Sequence, residues 1–236
     1  MITPVYNGER FLAESIESSL AQHPAPKQVI VIDDASTDGS VEVARRYPEV
    51  TLIELETNGG PGRARNRGIA AASGEFITTL DHDDIHIPGR FATQLDYLAE
   101  HPEHDLVIGR VQQFHTDDDR PDWAIDADSG QRRGSAAASA DDIPLTGTLM
   151  CRRSAFELHG DFDETMHFGE DVEWLVRMMD LGAGVGIVAQ PLIYRRLHST
   201  NMSSDQGQLL HGMAHAMKRR IERRRVERAD GAEPQA

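Results

Sequence analysis

The chain has 236 residues, of which 39% are hydrophobic, so it can bury one full-sized globular core. Its formal net charge of −15 argues against broad nucleic-acid binding, and its single cysteine, Cys151, excludes an internal disulfide framework and a four-cysteine zinc site. No apolar run is long enough to span a bilayer and no signal-peptide pattern follows Met1, so the sequence predicts a cytoplasmic protein.

Strands and helices are predicted to alternate over the first 110 residues. Apolar and β-branched runs predict strands at residues 2–5, 28–32, 51–55, 75–80 and 105–111. Helices are predicted near 11–20, 41–47, 63–72 and 91–100, from apolar residues at helical spacing or from the turn residues that bound these segments. Such alternation predicts an α/β fold with a mainly parallel central sheet flanked by helices.

The pattern after residue 111 is less regular. Residues 115–142 are polar and are predicted to be a mobile functional loop or a disordered segment. Beyond them, strands are predicted at 148–151, 186–189 and 192–196, with helices near 154–158 and 173–181. In the second of these helices, the apolar residues expected to share one side are Trp174, Leu175, Met178 and Met179, with Trp174 in the core.

The last helical segment is basic, since residues 218–228 hold seven basic residues and two glutamates. The apolar stripe along it consists of Leu210, Met213, Met217 and Ile221. Three interpretations are open: the stripe docks on the protein body with the charges in solvent, the helix touches anionic lipid, or it serves self-association or another partner.

The most informative motif is the acidic segment at the end of the fourth predicted strand. Asp81, His82, Asp83 and Asp84 place three carboxylates and an imidazole in consecutive positions. Carboxylates this close repel one another unless a cation or strong donors lie among them. Mg²⁺ and Mn²⁺ bind carboxylates together with substrate phosphate oxygens, so a metal site is one interpretation. The other is a solvated acidic turn that caps the next helix.

Two further strand ends carry polar side chains. Tyr6 and Asn7 follow the first predicted strand, and Asp33 and Asp34 end the second. In open parallel sheets, ligands bind outside the carboxyl ends of the strands. Agreement among three separate strand ends favours a functional site at this edge over a solvated turn.

Five motifs occur in order along the chain. They are residues 3–8 (TPVYNG), 32–40 (IDDASTDGS), 58–60 (NGG) with 64–66 (ARN), 80–84 (LDHDD) and 169–171 (GED). Together they resemble the family 2 glycosyltransferases, which have the GT-A nucleotide-diphospho-sugar transferase fold with a Rossmann-like N-terminal half. Each motif alone is weak, but five in this order are specific, and the resemblance runs from Ile2 to about Ser203.

The resemblance implies metal-dependent transfer of a sugar, with inversion, from a nucleotide-diphosphate donor, expected to be a UDP-sugar, to a hydroxyl acceptor such as a sugar or a lipid-linked glycan. The residues that it assigns to the nucleotide sugar are Pro4, Tyr6, Asp34, Arg65 and Asp81. His82 stands at the variable centre of the Asp-x-Asp motif, where the family commonly has a smaller residue, and is expected either to contact the phosphate of the nucleotide sugar or to join the metal site. The resemblance assigns a divalent cation, Mn²⁺ or Mg²⁺, to Asp81, Asp83 and His198. Asp171 matches the general base that takes the proton of the acceptor.

Three of these residues also have structural interpretations. Asp171 follows Glu170 at the start of a predicted helix, where the helix dipole favours an acid. His198 could be a structural histidine instead of a metal ligand or phosphate donor. Tyr6 could lie in the core instead of stacking on a nucleobase.

The resemblance divides the chain into a nucleotide-sugar-binding half at 1–110 and an acceptor-binding and catalytic half at 111–204. The basic amphipathic helix at 205–228 and a disordered tail at 229–236 follow. Two other classes stay open, a nucleotidyltransferase and a catalytically inactive nucleotide-sugar-binding module. Nucleic acid is not expected as a partner, whereas peripheral contact with the inner face of a membrane and a homodimer are both open.

Overall fold

The computed structural model describes residues 1–115, 140–141, 146–199, 201, 207, 212 and 214–223. The strands are β1 (Ile2–Val5), β2 (Val29–Asp33), β3 (Val50–Glu54), β4 (Phe76–Thr78), β5 (Ile85–His86), β6 (Leu106–His115), β7 (Ala140–Asp141), β8 (Met150–Arg152) and β9 (Val185–Leu197). The helices are α1 (Leu12–Leu20), α2 (Ser40–Ala44), α3 (Gly60–Ala71), α4 (Arg90–Glu100), α5 (Arg153–His159) and α6 (Glu170–Asp180), with a 3₁₀ turn at Thr146–Thr148.

The N-terminal half is a parallel sheet in the order β1-β2-β3. Strand β2 is buried along its whole length because helices cover both faces of the sheet. Val31 packs with residues of α1 and α2, whereas Ile30 and Ile32 belong to the cluster that includes α3. The predicted alternation of strands and helices is confirmed here.

A parallel bridge between Ile2 and Thr79 joins this sheet to a second one, and the amide of Leu80 donates to the carbonyl of Ile2 at 3.1 Å. The second sheet has the order β4-β8-β6-β9-β5. Strand β8 is antiparallel to both β4 and β6, and β5 is antiparallel to β9, while β6 and β9 are parallel. The sheet is therefore parallel in its N-terminal half and mixed beyond it.

The predicted strands at 186–189 and 192–196 form one strand, β9. Gln190 and Pro191 interrupt the apolar pattern. The register of the β6–β9 pairing shifts near Gly109 and Arg110, and because of this irregularity the strand continues through both residues. Strand β5 has only two residues, too few to give a periodic signal, and was not predicted.

The core between α6 and the sheet is aromatic. The ring of Trp174 lies 4.9 Å from Phe156 and 5.1 Å from Phe162, and its indole N–H donates to the carbonyl of Gly160 at 3.0 Å. Met178 is also fully buried, but Met179 is 57% exposed, so the side that Trp174 and Met178 share does not include Met179. At 100° per residue, position 178 lies close to position 174 on the helix surface, while position 179 is turned away from it.

The C-terminal helix, residues 214–223, contacts α6 and the loop before it through arginines. Arg219 pairs with Asp163 at 3.3 Å, Arg220 donates to both oxygens of Asp180 at 2.8 and 2.7 Å, and Arg223 pairs with Glu173. Glu173 is 3% exposed and is also paired with Arg177. These contacts join buried or half-buried carboxylates of the body to the helix.

The apolar stripe of this helix faces the other way. Met217 and Ile221 are 54% and 48% exposed, while the small residue Ala216 is buried. The interpretation that the apolar stripe docks on the body with solvated charges is therefore wrong for the described part of the helix. Leu210 and Met213 lie outside the described residues.

Most of the segment predicted as a polar loop, residues 116–139 and 142–145, also lies outside the described residues, as does the tail at 229–236. Between its two parts, β7 pairs antiparallel with β6. Among the helices that the structure describes, none combines the length and the hydropathy needed to cross a membrane.

Replacing Arg223 with Met should destabilise the protein. It removes one of the two arginines that pair with the buried Glu173, so we expect the free energy of unfolding to fall by about 1–3 kcal/mol. Lys218→Met on the same helix is the control, because Lys218 is exposed and its contact with Glu222 is 3.9 Å long; we expect a change within about 0.5 kcal/mol. Equal effects in urea denaturation would contradict the assigned role of Arg223.

Candidate active site

The loops after β1 and β2 are held together by hydrogen bonds. The amide of Asn7 donates to Ser36 Oγ at 2.9 Å, the amide of Thr37 donates to Asn7 Oδ1 at 2.8 Å, and the amide of Gly8 donates to Ser40 Oγ at 2.8 Å. Asn7 has a left-handed backbone with φ of 52°. Two strand ends that are distant in sequence thus form one surface, as predicted.

Pro4 and Tyr6 differ in accessibility. Pro4 is buried within β1, opposite Ile32 of β2. Tyr6 follows β1 and is 47% exposed, so its placement in the core, the structural interpretation, is wrong. The Tyr6 ring is accessible to a flat ligand at the carboxyl end of the sheet.

Asp34 fixes the start of α3. Its buried carboxylate accepts the amides of Gly59 at 3.0 and 3.1 Å and of Gly60 at 2.8 Å. The dipole of a helix favours an anion at its N-terminus, which adds to these bonds. The Asp34 amide donates to the carbonyl of Val5 at 2.8 Å, so this residue joins β1, β2 and α3.

Arg65 of α3 lies between two acidic segments. Its buried guanidinium donates to Asp81 Oδ1 at 2.8 Å and to Glu170 Oε1 at 2.5 Å. Burial favours the neutral form of Arg65, but the charges of Asp81, Glu170 and Asp171 outweigh it and raise the pKa, so Arg65 stays a cation. This one side chain brings the end of β4 and the start of α6 to the same place.

Glu170 and Asp171 form the first turn of α6, after Gly169 with its φ of 72°. Burial raises the pKa of Glu170 to about 7; Arg65 opposes this rise and the Asp171 carboxylate adds to it. Asp171 is half-buried, and its Oδ1 accepts the amide of Val172 at 2.8 Å. Its position agrees with both interpretations, a general base and a helix N-terminal acid.

Asp83 and His198 are in direct contact. His198 Nε2 lies 3.0 Å from Asp83 Oδ2, and the amide group of Asn201 donates to the same oxygen at 3.1 Å. Burial opposes ionisation of Asp83, but the hydrogen bond with His198 and the nearby imidazoles hold its pKa below the usual value. The His198 ring also packs on Phe11, with centroids 4.9 Å apart.

The pair of Asp83 and His198 fits the divalent cation that the family resemblance implies. Adjacent ligands of an octahedral ion with bonds of about 2.1 Å lie about 3.0 Å apart, which is the separation between His198 Nε2 and Asp83 Oδ2. Carboxylate oxygens suit Mg²⁺ and Mn²⁺. Asp81 is on the same segment, with Oδ1 bound to Arg65.

His82 packs over the loop after β1. A Cβ built at Gly8 would lie 2.3 Å from His82 Cδ2, so only glycine leaves room for the ring. His82 therefore lies at the carboxyl end of β1, next to the acidic segment.

Arg196 of β9 was not among the predicted site residues. It is fully buried, its Nε donates to the carbonyl of Asp83 at 3.0 Å, and its amide donates to Asp84 Oδ1 at 2.9 Å. Its guanidinium also pairs with Glu14 of α1 and lies 4.4 Å from the centre of the Phe11 ring. The sequence shows a cationic side chain within a mainly apolar strand. Its partners, which make its burial possible, are apparent only in the structure.

Residues 1–160 match the family described as glycosyl transferase family 2. This match spans more than half of the chain, so the chain belongs to this family and carries its glycosyltransferase domain. The predicted family and the predicted α/β fold of the GT-A class are thereby confirmed.

Among the similar proteins, an uncharacterized glycosyltransferase of Rickettsia typhi is 27% identical over 215 residues, which cover 87% of this chain and 67% of that protein. The succinoglycan biosynthesis protein ExoU of Rhizobium meliloti is 31% identical over 205 residues, which cover 80% of this chain and 58% of that protein. The chain thus spans about three fifths to two thirds of these relatives.

Among solved structures, that of S. aureus TarS 1-349 in complex with UDP-GlcNAc matches with a TM-score of 0.66 and 22% identity. The match covers 86% of this chain and 60% of the TarS chain. At this identity, the likeness shows a common fold.

The raised pKa of Glu170 gives a prediction on pH and stability. In the folded chain this carboxyl ionises at about pH 7, against a usual value of 4.5. The folded chain then binds more protons than the unfolded chain between these values, so this group's stabilising contribution is complete below about pH 4.5 and is lost as the pH rises through 7. Glu170→Gln should remove that slope, and wild type should lose roughly 1–3 kcal/mol relative to this variant.

The measurement is urea denaturation of wild type and Glu170→Gln between pH 4.5 and pH 8. Glu157→Gln, at an exposed position of α5, is the control and should keep the pH profile of wild type. Parallel profiles for wild type and Glu170→Gln would show that the burial of Glu170 does not perturb its ionisation.

Proposed function

We propose that the protein transfers a sugar from a UDP-sugar to a hydroxyl acceptor, in a metal-dependent reaction that inverts the anomeric centre. The observation that carries this proposal is the contact of Arg65 with both Asp81 and Glu170. This contact brings the acidic segment after β4, which is proposed to bind the sugar donor, next to Asp171, the proposed base.

The nucleotide is assigned to the surface formed after β1 and β2. The exposed ring of Tyr6 can stack on a base, and Asp34, although bound to Gly59 and Gly60, has carboxylate lone pairs for a base N–H. The presence of UDP-GlcNAc in the TarS complex, which has the same fold, supports a UDP-sugar as the donor.

Asp83 and His198 are the proposed holders of the cation, Mn²⁺ or Mg²⁺, with Asp81 beside them. When bound, such an ion offsets the negative charge that the diphosphate gains as its bond to the sugar breaks. Arg196 and Asn201 orient Asp83 for this role through its carbonyl and its Oδ2.

The proposed chemical step is a single displacement. Asp171 accepts the proton of the acceptor hydroxyl, the acceptor oxygen forms a bond to the anomeric carbon, and the bond from that carbon to the diphosphate breaks with its electron pair on the leaving oxygen. Attack from the face opposite the leaving group inverts the centre. The ionised Arg65 lies beside Asp171 and favours its carboxylate form before the proton arrives.

The acceptor is proposed to be a saccharide hydroxyl, free or lipid-linked. The printed name of the relative ExoU, a succinoglycan biosynthesis protein, supports a polysaccharide acceptor. If the acceptor is a lipid-linked glycan, the protein would contact the inner face of a membrane peripherally. The family match over residues 1–160 disfavours the nucleotidyltransferase alternative.

Asp83→Ala should remove metal-dependent donor binding. The variant loses the carboxylate beside His198, so Mn²⁺ should no longer raise the affinity for UDP-sugars, and affinity should fall by about 10-fold or more. Calorimetric titration of UDP-sugars with and without Mn²⁺ measures this. Asp96→Ala, at an exposed position of α4, is the control; an intact Mn²⁺ effect in Asp83→Ala would refute the assigned ligand.

Asp171→Asn should separate binding from chemistry. It keeps the shape of the side chain but cannot take a proton, so we expect donor affinity to stay within about threefold while turnover falls by roughly 10²–10⁴-fold. Hydrolysis of a UDP-sugar panel with Mn²⁺ gives turnover, with Asp96→Asn as the control. Turnover equal to wild type would exclude Asp171 as the base, and donor binding without turnover in wild type would favour the inactive binding module.

A further inference from the structure

The turn between α4 and β6 carries a second cluster of metal-binding side chains. His101 Nδ1 lies 3.3 Å from Glu103 Oε1, and His104 Nε2 lies 4.0 Å from the same oxygen. Within the part of the chain that the structure describes, these three residues each offer a ligand atom within 4.8 Å of the others. All three lie within a span of four consecutive residues, 101–104.

The separations suit a small transition-metal ion. Zinc binds imidazole nitrogen and carboxylate oxygen at about 2.0–2.2 Å in a tetrahedral arrangement, which places adjacent ligand atoms about 3.4 Å apart. The distance between His101 and Glu103 is already close to this value. Because Glu103 is exposed, a small side-chain rotation can shorten its distance to His104.

Tyr97 prepares His104 for this role. Its hydroxyl lies 3.1 Å from His104 Nδ1. If the tyrosine oxygen accepts the proton of Nδ1, Nε2 carries the lone pair that a metal needs, and this is the usual way in which a second group orients a metal-binding histidine. The Tyr97 ring also packs on both imidazoles, tilted against His101 with centroids 4.4 Å apart and stacked with His104 with centroids 5.7 Å apart.

The backbone of the turn is braced on both sides. The amide of His104 donates to the carbonyl of His101 at 3.0 Å, and Arg152 Nε donates to the carbonyl of His104 at 3.1 Å. On the other side, a Cβ built at Gly184 would lie 2.2 Å from the carbonyl oxygen of Glu103, so the two backbones are in close contact. A braced turn loses little conformational entropy when it binds an ion.

This cluster is remote from the candidate active site. Strands β4 and β6 are both antiparallel to β8, so they run in the same direction. Asp81 follows the end of β4, whereas residues 101–104 precede the start of β6. The cluster and the acidic segment therefore lie at opposite ends of the strands.

We propose that His101, Glu103 and His104 form a Zn²⁺ site, completed by water, that clips the end of α4 to the start of β6. The site goes beyond the proposed glycosyl transfer, since none of its residues takes part in it. Its three ligands are between 24% and 63% exposed, which leaves the fourth position open to solvent.

The test uses the full chain with Asp83→Ala, which removes the proposed cation ligand of the active site. Isothermal titration with Zn²⁺ should show one bound ion in this background. Adding His104→Ala should abolish that binding, while adding His159→Ala, a half-buried histidine of α5, should leave it unchanged. Zn²⁺ binding that persists with His104→Ala, or that is absent from the Asp83→Ala background, would overturn the proposal.

Tyr97→Phe provides the second arm of the test. It keeps the stacked ring and removes only the oxygen that faces His104, so we expect Zn²⁺ affinity to fall by about 10-fold with circular dichroism unchanged. An unchanged affinity would overturn the role of Tyr97. Zn²⁺ should also raise the melting temperature of the Asp83→Ala chain and not that of the Asp83→Ala, His104→Ala chain.

Discussion

The candidate site is organised around the buried guanidinium of Arg65, which pairs with two acids that are far apart in the sequence. Asp81 is 16 residues away and Glu170 is 105 residues away. Removing either side chain would leave N–H donors of the buried Arg65 guanidinium without a partner, which is more costly than losing an exposed ion pair. The position of α6, and with it that of Asp171, therefore depends on α3. The position of α3 depends in turn on the bonds from Gly59 and Gly60 to Asp34.

A second buried arginine acts on the other side of the acidic segment. The Arg196 guanidinium donates to the carbonyl of Asp83 and the Arg196 backbone amide donates to the carboxylate of Asp84, while the Arg65 guanidinium donates to the carboxylate of Asp81. Adjacent carboxylates repel one another, and these donors from α3 and β9 offset part of that repulsion. The carboxylate of Asp83 lies beside His198 and Asn201, and both contact its Oδ2.

Much of the fold followed from local patterns in the sequence. Continuous apolar runs identified β1, β2 and β3, and Tyr6, Asp34 and Asp81 each follow the carboxyl end of a strand, where the rule for parallel sheets places ligands. Charge pairs between residues distant in the chain could not be predicted from the sequence. Nothing in the sequence near Arg196 indicates that Asp83 and Asp84 lie around it, and a bulge absorbed Pro191 where the pattern suggested a strand break. The roles of the site residues in catalysis stay predictions.

The terminal helix shows where an apolar pattern misleads, and its attachment has a further consequence. Arg220 and Arg223 pair with acids of α6 and Arg219 pairs with Asp163 in the loop before it, and part of each pair is open to solvent. Dissolved salt weakens partly exposed ion pairs, whereas kosmotropic salts such as sulfate strengthen apolar packing. Ionic strength therefore acts directly on the support of the helix whose first turn carries Asp171.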